Sequence, residues 1–396
     1  MKSNCVHYIG LALLISLLSG CGNLVNSYRQ NTTNLDDLYL DNAYPTANQI
    51  PIETEHDIFA LDEEMQNMVN YVLKPERDHG DKARLLLNYI FSSNHIAMSY
   101  ESGTNVSAID AFHGSKANCM SLTIMAYALA DAAGMRLKFQ DIKVPEYWVR
   151  KGSHQLLMGH VNLLIQKPSS IFKGNTWTQE ILQIDFDPNA SKAHFPRKVV
   201  SKETMVAMFY NNKGAEALVR AEYDEAYAYF KAATKKDPEY FSAWGNLGVL
   251  YKINSHYDLA INTYQHALAL SPEDLTSLEN LALLFDKLDR QDEAAIIANK
   301  LHNKRLSNPH YHALLASEAM YKNKYDSAIR HLKDAIKLES KFHEFHFDLA
   351  QLYFKTEQLK LAKSSMKKAL KLNENIHIER EYNRKLNFLN QASVSY

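Results

Sequence analysis

The spacing of apolar positions changes along the chain, and each change marks a new element. From Asp57 onward Ile58, Leu61, Met65, Met68, Val69 and Val72 fall three or four apart, which predicts a helix. A second helix is predicted from about Asp81 to Phe91, with Leu85, Leu86, Leu87, Ile90 and Phe91 apolar. Residues 94–118 show no period and read as irregular. Asn118 is then a good N-cap, Ile124 to Ala133 a helical run and Gly134 a C′ residue, so Cys119 falls in the first turn of a helix. Leu137 and Phe139 alternate with Lys138 and Gln140 as in a strand. His160 to Ile165 reads as a second strand, residues 167–175 as a turn-rich connection, and Ile181 to Asp187 as a third strand stopped by Pro188. Helices followed by strands predict an α+β domain with an antiparallel sheet over residues 56–200.

Beyond residue 206 the pattern becomes a repeat with a period of 34 residues. Ala226, Ala260, Ala294, Ala328 and Ala362 form one column, and Gly214, Gly248, Ala282, Ala316 and Ala350 another. A third is Ala233, Ala267, Leu301, Ala335 and Ala369; a fourth is Leu247, Leu281, Leu315 and Leu349. Small residues recur where two helices must approach closely, and large apolar ones fill the space between them. Five repeats over 206–376 predict an all-α solenoid, with a polar-faced capping helix and tail over 377–396.

These columns resemble the tetratricopeptide repeat family. The second copy carries Trp244, Leu247, Gly248, Tyr251, Ala260, Tyr264, Ala267 and Pro272 at the signature positions. The first keeps Gly214, Ala226, Phe230, Ala233 and Pro238. In the third to fifth copies Leu306, Ser340 and Glu374 stand in place of the closing proline, and His312 and His346 replace the tryptophan. The resemblance implies a protein or peptide partner held on the concave face of the array.

The N-terminus carries a different signal. Lys2 precedes an apolar stretch, Ile9 to Leu18, too short to span a bilayer. It ends in Leu18-Ser19-Gly20-Cys21, which resembles the lipobox of bacterial lipoproteins. The resemblance implies a signal peptide over 1–20, lipid on Cys21 and a membrane anchor. Gly22 rather than Asp after that cysteine points to the outer membrane, facing the periplasm. Residues 21–55, with Pro45, Pro51 and many Asn, Thr, Asp and Tyr residues, read as a flexible tether.

Composition narrows the function. Hydrophobic residues are 46% and charged residues 22%, a globular balance. Lys plus Arg is 44 against 45 Asp plus Glu, and no basic stripe is present, which speaks against nucleic acid as a partner. No metal-ligand spacing, phosphate loop or dinucleotide fingerprint appears, so no cofactor and no metal are expected. Of the three cysteines, Cys5 lies in the leader and Cys21 at the lipid site, leaving Cys119 as the one thiol of the body.

A thiol is nucleophilic as the thiolate, which the positive end of a helix and a nearby imidazole both favour. Cys119 meets the first condition. His160 opens a strand, and Asp185 and Asp187 share a face of the next, where one of them can orient the imidazole. His154 is a competitor in an expected loop, and His113 reads as a surface residue. Cysteine at a helix start, then histidine and aspartate on successive strands, resembles the transglutaminase-like cysteine hydrolase superfamily. The resemblance implies that Cys119 attacks an amide or peptide carbonyl, His160 relays the proton, and Asp185 or Asp187 holds the ring. The apolar neighbours of Asp185 favour it, whereas Asp187 is followed by proline as in one variant of the family. Two functions follow: a membrane-tethered cysteine hydrolase or acyl-transfer enzyme whose repeats recruit protein, or a non-enzymatic repeat scaffold with an inert thiol domain.

Overall fold

The structure is a computed structural model. It describes residues 34–91, 99–100, 105–114, 116–142, 148–151, 154–157, 159–173, 176–184, 186, 197–373 and 376–392. The chain divides into two compact units: Met1–Ala60 with Asn105–Ser107 and Ser201–Ala298, and Leu61–Thr104 with Ala108–Val200 and Asn299–Tyr396.

The helix expected from Asp57 onward is two. Helix α1 (Glu55–Phe59) opens on a capping box between Thr54 and Asp57 and stops at Ala60. Asp62 then accepts the Met65 N–H at 2.9 Å and starts α2 (Glu63–Met68), which loosens into a π turn over Val69–Leu73. A local acceptor restarts the hydrogen-bonding within an unbroken apolar period, so spacing alone hides the break. Helix α3 (His79–Phe91) lies where its spacing predicts.

Residues 94–118, expected to be irregular, contain α4 (Ala108–His113) and a parallel pair of two-residue strands, β1 (Ser99–Tyr100) and β2 (Lys116–Ala117). Six helical residues make less than two turns, too few for a period to show. Helix α5 (Cys119–Ala132) follows. Asn118 Oδ1 accepts the Ser121 N–H at 2.8 Å, and Gly134 sits at φ +75°, the left-handed stop that glycine adopts without steric cost.

Strand β3 (Arg136–Ile142) turns back along α5. A hairpin the spacing does not reveal, β4 (Trp148–Lys151) with β5 (His154–Leu157), puts His154 in a strand rather than a loop. Strand β6 (His160–Lys173) runs straight through the expected connection at 167–175. Its ladder with β7 (Thr176–Ile184) shifts register between Gln166 and Ser170, bracketing Pro168, which has no N–H to give. With β8 (Arg197–Val200) these form a four-stranded sheet ordered β7-β6-β3-β8, antiparallel at every pairing. Phe139 of β3 is buried and stacks on Tyr127 of α5 at 4.4 Å, while Val161, Leu163 and Ile165 of β6 are buried as well. Helices α2–α5 and this small antiparallel sheet are the main elements of residues 61–200.

The repeats follow as antiparallel helix pairs: α6 (Lys202–Val219) with α7 (Tyr223–Lys236), α8 (Phe241–Ile253) with α9 (Tyr257–Leu270), α10 (Leu275–Lys287) then α11 (Gln291–Arg305), α12 (Pro309–Tyr321) with α13 (Tyr325–Leu338), and α14 (His343–Lys355) with α15 (Leu359–Leu372). Helix α16 (Ile376–Ala392) ends the array; Tyr382 stacks on Phe347 of α14 at 4.6 Å. The backbone repeats as faithfully as the side chains. Ala221, Ser255, Asp289, Asn323 and Glu357 each turn the chain between paired helices at φ between 55° and 64°. The N–H of the following residue reaches back five residues to the preceding helix, as Gln358 to the Tyr353 carbonyl at 2.7 Å. Glycine at 214 and 248 has a steric cause. A Cβ there would lie 2.7 Å from the Phe230 or the Tyr264 ring.

The substituted tryptophan column is also explained. Trp244 Nε1 donates to the Pro238 carbonyl at 2.9 Å. His312 Nε2 donates to the Leu306 carbonyl at 3.0 Å and His346 Nε2 to the Ser340 carbonyl at 2.9 Å. Because a carbonyl only accepts, Nε2 carries the proton in both, and an imidazole does here what the indole does in the second repeat.

The expected tether is not free beyond residue 33. Three 3-10 turns, Leu35–Leu38, Asp41–Ala43 and Ala47–Gln49, lie on the repeats of the same unit. Tyr251 donates to the Leu38 carbonyl at 2.8 Å, the Leu40 N–H donates to Tyr227 Oη at 2.9 Å, and Tyr227 donates to Asp41 Oδ1 at 2.8 Å. Tyr44 stacks on Tyr227 at 4.4 Å and Tyr39 on Trp244 at 5.8 Å. Leu38 is fully buried. Tyrosines counted as polar tether residues bury their rings here and keep their hydroxyls bonded.

Candidate functional site

Cys119 occupies the first turn of α5 and His160 the first position of β6, the places their sequence contexts indicate. One hydroxyl ties these starts together. Thr123, one turn along α5, donates to the Cys119 carbonyl at 2.8 Å and lies 3.3 Å from the carbonyl of Val161, the residue after His160. The thiol-bearing turn and the histidine-bearing strand end are therefore neighbours in the backbone. Both residues are nearly enclosed, Cys119 with 6% and His160 with 4% of its surface exposed. Asn118, Ser121 and Thr123 around them are buried polar residues, so the helix start sits in polar rather than purely apolar packing. Ser121 Oγ adds a second bond to Asn118 Oδ1 at 3.0 Å, fixing the cap.

Asp185 and Asp187 lie outside the described residues, as does Cys21. Ile184, the last residue of β7, pairs with Leu163 of β6. His113 is half exposed and bonded to Asp62, with Glu64 4.0 Å away.

A second set of polar groups runs along the first helices of the leading repeats. Asn246 of α8 donates to Asn211 Oδ1 of α6 at 2.8 Å, and Lys252 of α8 donates to Asn280 Oδ1 of α10 at 2.6 Å. Amide and ammonium groups so link three consecutive repeats, and burial pulls the Lys252 ammonium below its ordinary pKa. Asn246, Asn280 and Lys252 stay partly open to solvent. The N-terminal segment packs against the second helices α7 and α9 and also against Trp244 and Tyr251 of α8.

The models of the tetratricopeptide repeat match residues 254–304 and 314–374, and a further one 229–262. The C-terminal region is a tetratricopeptide-repeat array. Photosystem I assembly protein Ycf3 of Prochlorococcus marinus (strain NATL2A) is 30% identical over 93 residues, 23% of this chain and 53% of that protein. The chloroplastic tetratricopeptide repeat domain-containing protein PYG7 of Arabidopsis thaliana is 28% identical over 112 residues, 27% of this chain and 36% of its own length. The chain spans about half the length of the Ycf3 relatives it matches. Among solved structures, Pseudomonas aeruginosa pilF is 15% identical, covering 48% of this chain and 91% of its own with a TM-score of 0.27. TTC0263, a thermophilic repeat protein of Thermus thermophilus, is 20% identical, covering 46% and 98% with the same TM-score of 0.27.

Proposed function

We propose that the protein is an adaptor of the bacterial cell envelope that holds a partner protein along the first helices of its repeats. The polar ladder Asn211–Asn246 and Lys252–Asn280 carries this reading, since side-chain amides and a lysine offer the donors and acceptors an extended peptide backbone needs. The name of Ycf3 as an assembly protein agrees with an adaptor. Membrane attachment is part of the proposal and rests on Leu18-Ser19-Gly20-Cys21; Cys21→Ser should move the protein from the membrane to the soluble fraction. The test of the adaptor is retention of envelope proteins by the whole chain. The Asn246→Ala, Lys252→Ala double variant should lose a partner that Cys119→Ala keeps. Loss on removing the thiol alone, with the double variant unchanged, would reverse the assignment.

A second reading is motivated by the Thr123 bridge between the Cys119 turn and the His160 strand. Residues 61–200 would then be a transglutaminase-like domain in which Cys119 forms a thioester with an amide or peptide carbonyl. His160 would take and return the proton, and Asp185 or Asp187, the acids following β7, would orient the ring. The backbone N–H of Cys119, unused at a helix start, would stabilise the oxyanion. Under this reading iodoacetamide alkylates Cys119 at neutral pH faster than a free thiol, and His160→Ala removes the advantage. Alkylation no faster than a free thiol in the wild type rules it out.

A further inference from the structure

The fourth repeat differs from its neighbours at one point where both of its helices meet. His312 on α12 and His331 and Asp334 on α13 each offer a ligand atom, and the three atoms lie within 4.8 Å of one another. His312 is 7% exposed, and its Nδ1 is buried with no hydrogen-bond partner; His331 Nδ1 is buried and without a partner too. A buried imidazole nitrogen without a hydrogen-bond partner is costly unless another group reaches it.

The tautomer of His312 follows from its hydrogen bond. Its Nε2 donates to the Leu306 carbonyl, so Nδ1 of the neutral ring carries a lone pair and no proton. That is the arrangement in which a histidine binds a metal: one nitrogen to the ion, the other N–H to a backbone carbonyl that sets the tautomer. At the matching positions the second repeat has Trp244, Thr263 and His266, and the fifth His346, Ser365 and Lys368. Neither supplies three donors, so the cluster is not a by-product of the repeat.

We propose that His312 Nδ1, His331 and Asp334 bind a divalent transition-metal ion of the zinc type, pinning α12 to α13. Two nitrogens and a carboxylate suit zinc, with water in the fourth tetrahedral position. Donors on such an ion lie about 3.3 Å apart with bonds of about 2.0 Å. The donors have to close from 4.8 Å to that spacing, and Asp334 is exposed and His331 half-buried.

The full chain, stripped with chelator, is titrated with Zn²⁺ alone, and with Co²⁺ to read the ligand set from its visible spectrum. One ion per chain is expected, with a rise in thermal midpoint. His331→Ala and Asp334→Ala should each weaken binding at least tenfold, while His346→Ala leaves it unchanged. His312→Trp installs the side chain that donates the same bond in the second repeat, so it should fold and lose the ion. A wild type that takes up no zinc at micromolar concentration overturns the proposal. So does binding that survives in His331→Ala and Asp334→Ala, which would place the ion on other histidines.

Discussion

Single positions in the repeats carry steric and electronic requirements that can be tested one at a time. Alanine usually stabilises a helix relative to glycine by about 1 kcal/mol. At Gly248 the sign should reverse, because the added Cβ meets the fully buried Tyr264 ring at 2.7 Å. Gly248→Ala should lower stability by about 1–3 kcal/mol in denaturant unfolding; a gain would contradict the packing. Glu357 holds φ 60° with a Cβ that this conformation disfavours. Glu357→Gly should therefore raise stability by up to about 1 kcal/mol, read as a higher denaturation midpoint. Much of this scale is legible in the sequence, since the glycine column marks close helix approach. The His312 cluster is not. Its donors are split between two helices, 312 on one and 331 and 334 on the next, and that spacing belongs to no local ligand motif. The usable signal was a histidine in a tryptophan column with a His-x-x-Asp pair one helix later.

Among the elements, helix ends follow from local chemistry and were read correctly where a cap stood in the sequence. Asn118→Ala removes the acceptor of the Ser121 N–H and should cost about 1 kcal/mol, together with any reactivity of Cys119 that depends on an ordered helix start. Strand ends were read less well. Residues 167–175 read as a turn-rich connection, whereas β6 passes Pro168 with a register shift, a tertiary solution that needs the partner strand β7 to be known. The α1–α2 break was likewise hidden by continuous apolar spacing. Helix α14 carries a pH-dependent element. Burial pushes the Asp348 carboxyl up to about 6 from its ordinary value of 3.8. The native state then holds the proton that the unfolded chain releases, so stability falls as pH rises from about 4 to about 6 and stays low above that. Asp348→Asn should abolish this decline and raise stability at pH 7 by up to about 3 kcal/mol, measured as the thermal midpoint across pH.

For the chain as a whole, the most consequential departure from the sequence reading is the segment after residue 33. A run of Asn, Asp, Tyr and Pro reads as solvated, yet Leu38, Tyr44 and Ala47 are buried, and the hydroxyls of Tyr39 and Tyr44 bond to Thr234 and Asn254 of the same unit. Aromatic residues with a polar tip carry no period, so only the structure shows which side they bury. The segment lies on α7, α9 and the Trp244 and Tyr251 side chains of α8, and the proposed partner surface is the polar ladder Asn211–Asn246 and Lys252–Asn280. The thiol site is legible as a Cys119 turn beside a His160 strand, while its acid rests on sequence order alone. The most direct measurement of the adaptor is site-specific photo-crosslinking in cells, with the reactive residue placed at Asn280 on a first helix or at the exposed Asn262 on a second helix. The account predicts a discrete crosslinked partner from Asn280 that disappears with Lys252→Glu, and none from Asn262. The same product from both positions, undiminished by Lys252→Glu, would contradict it.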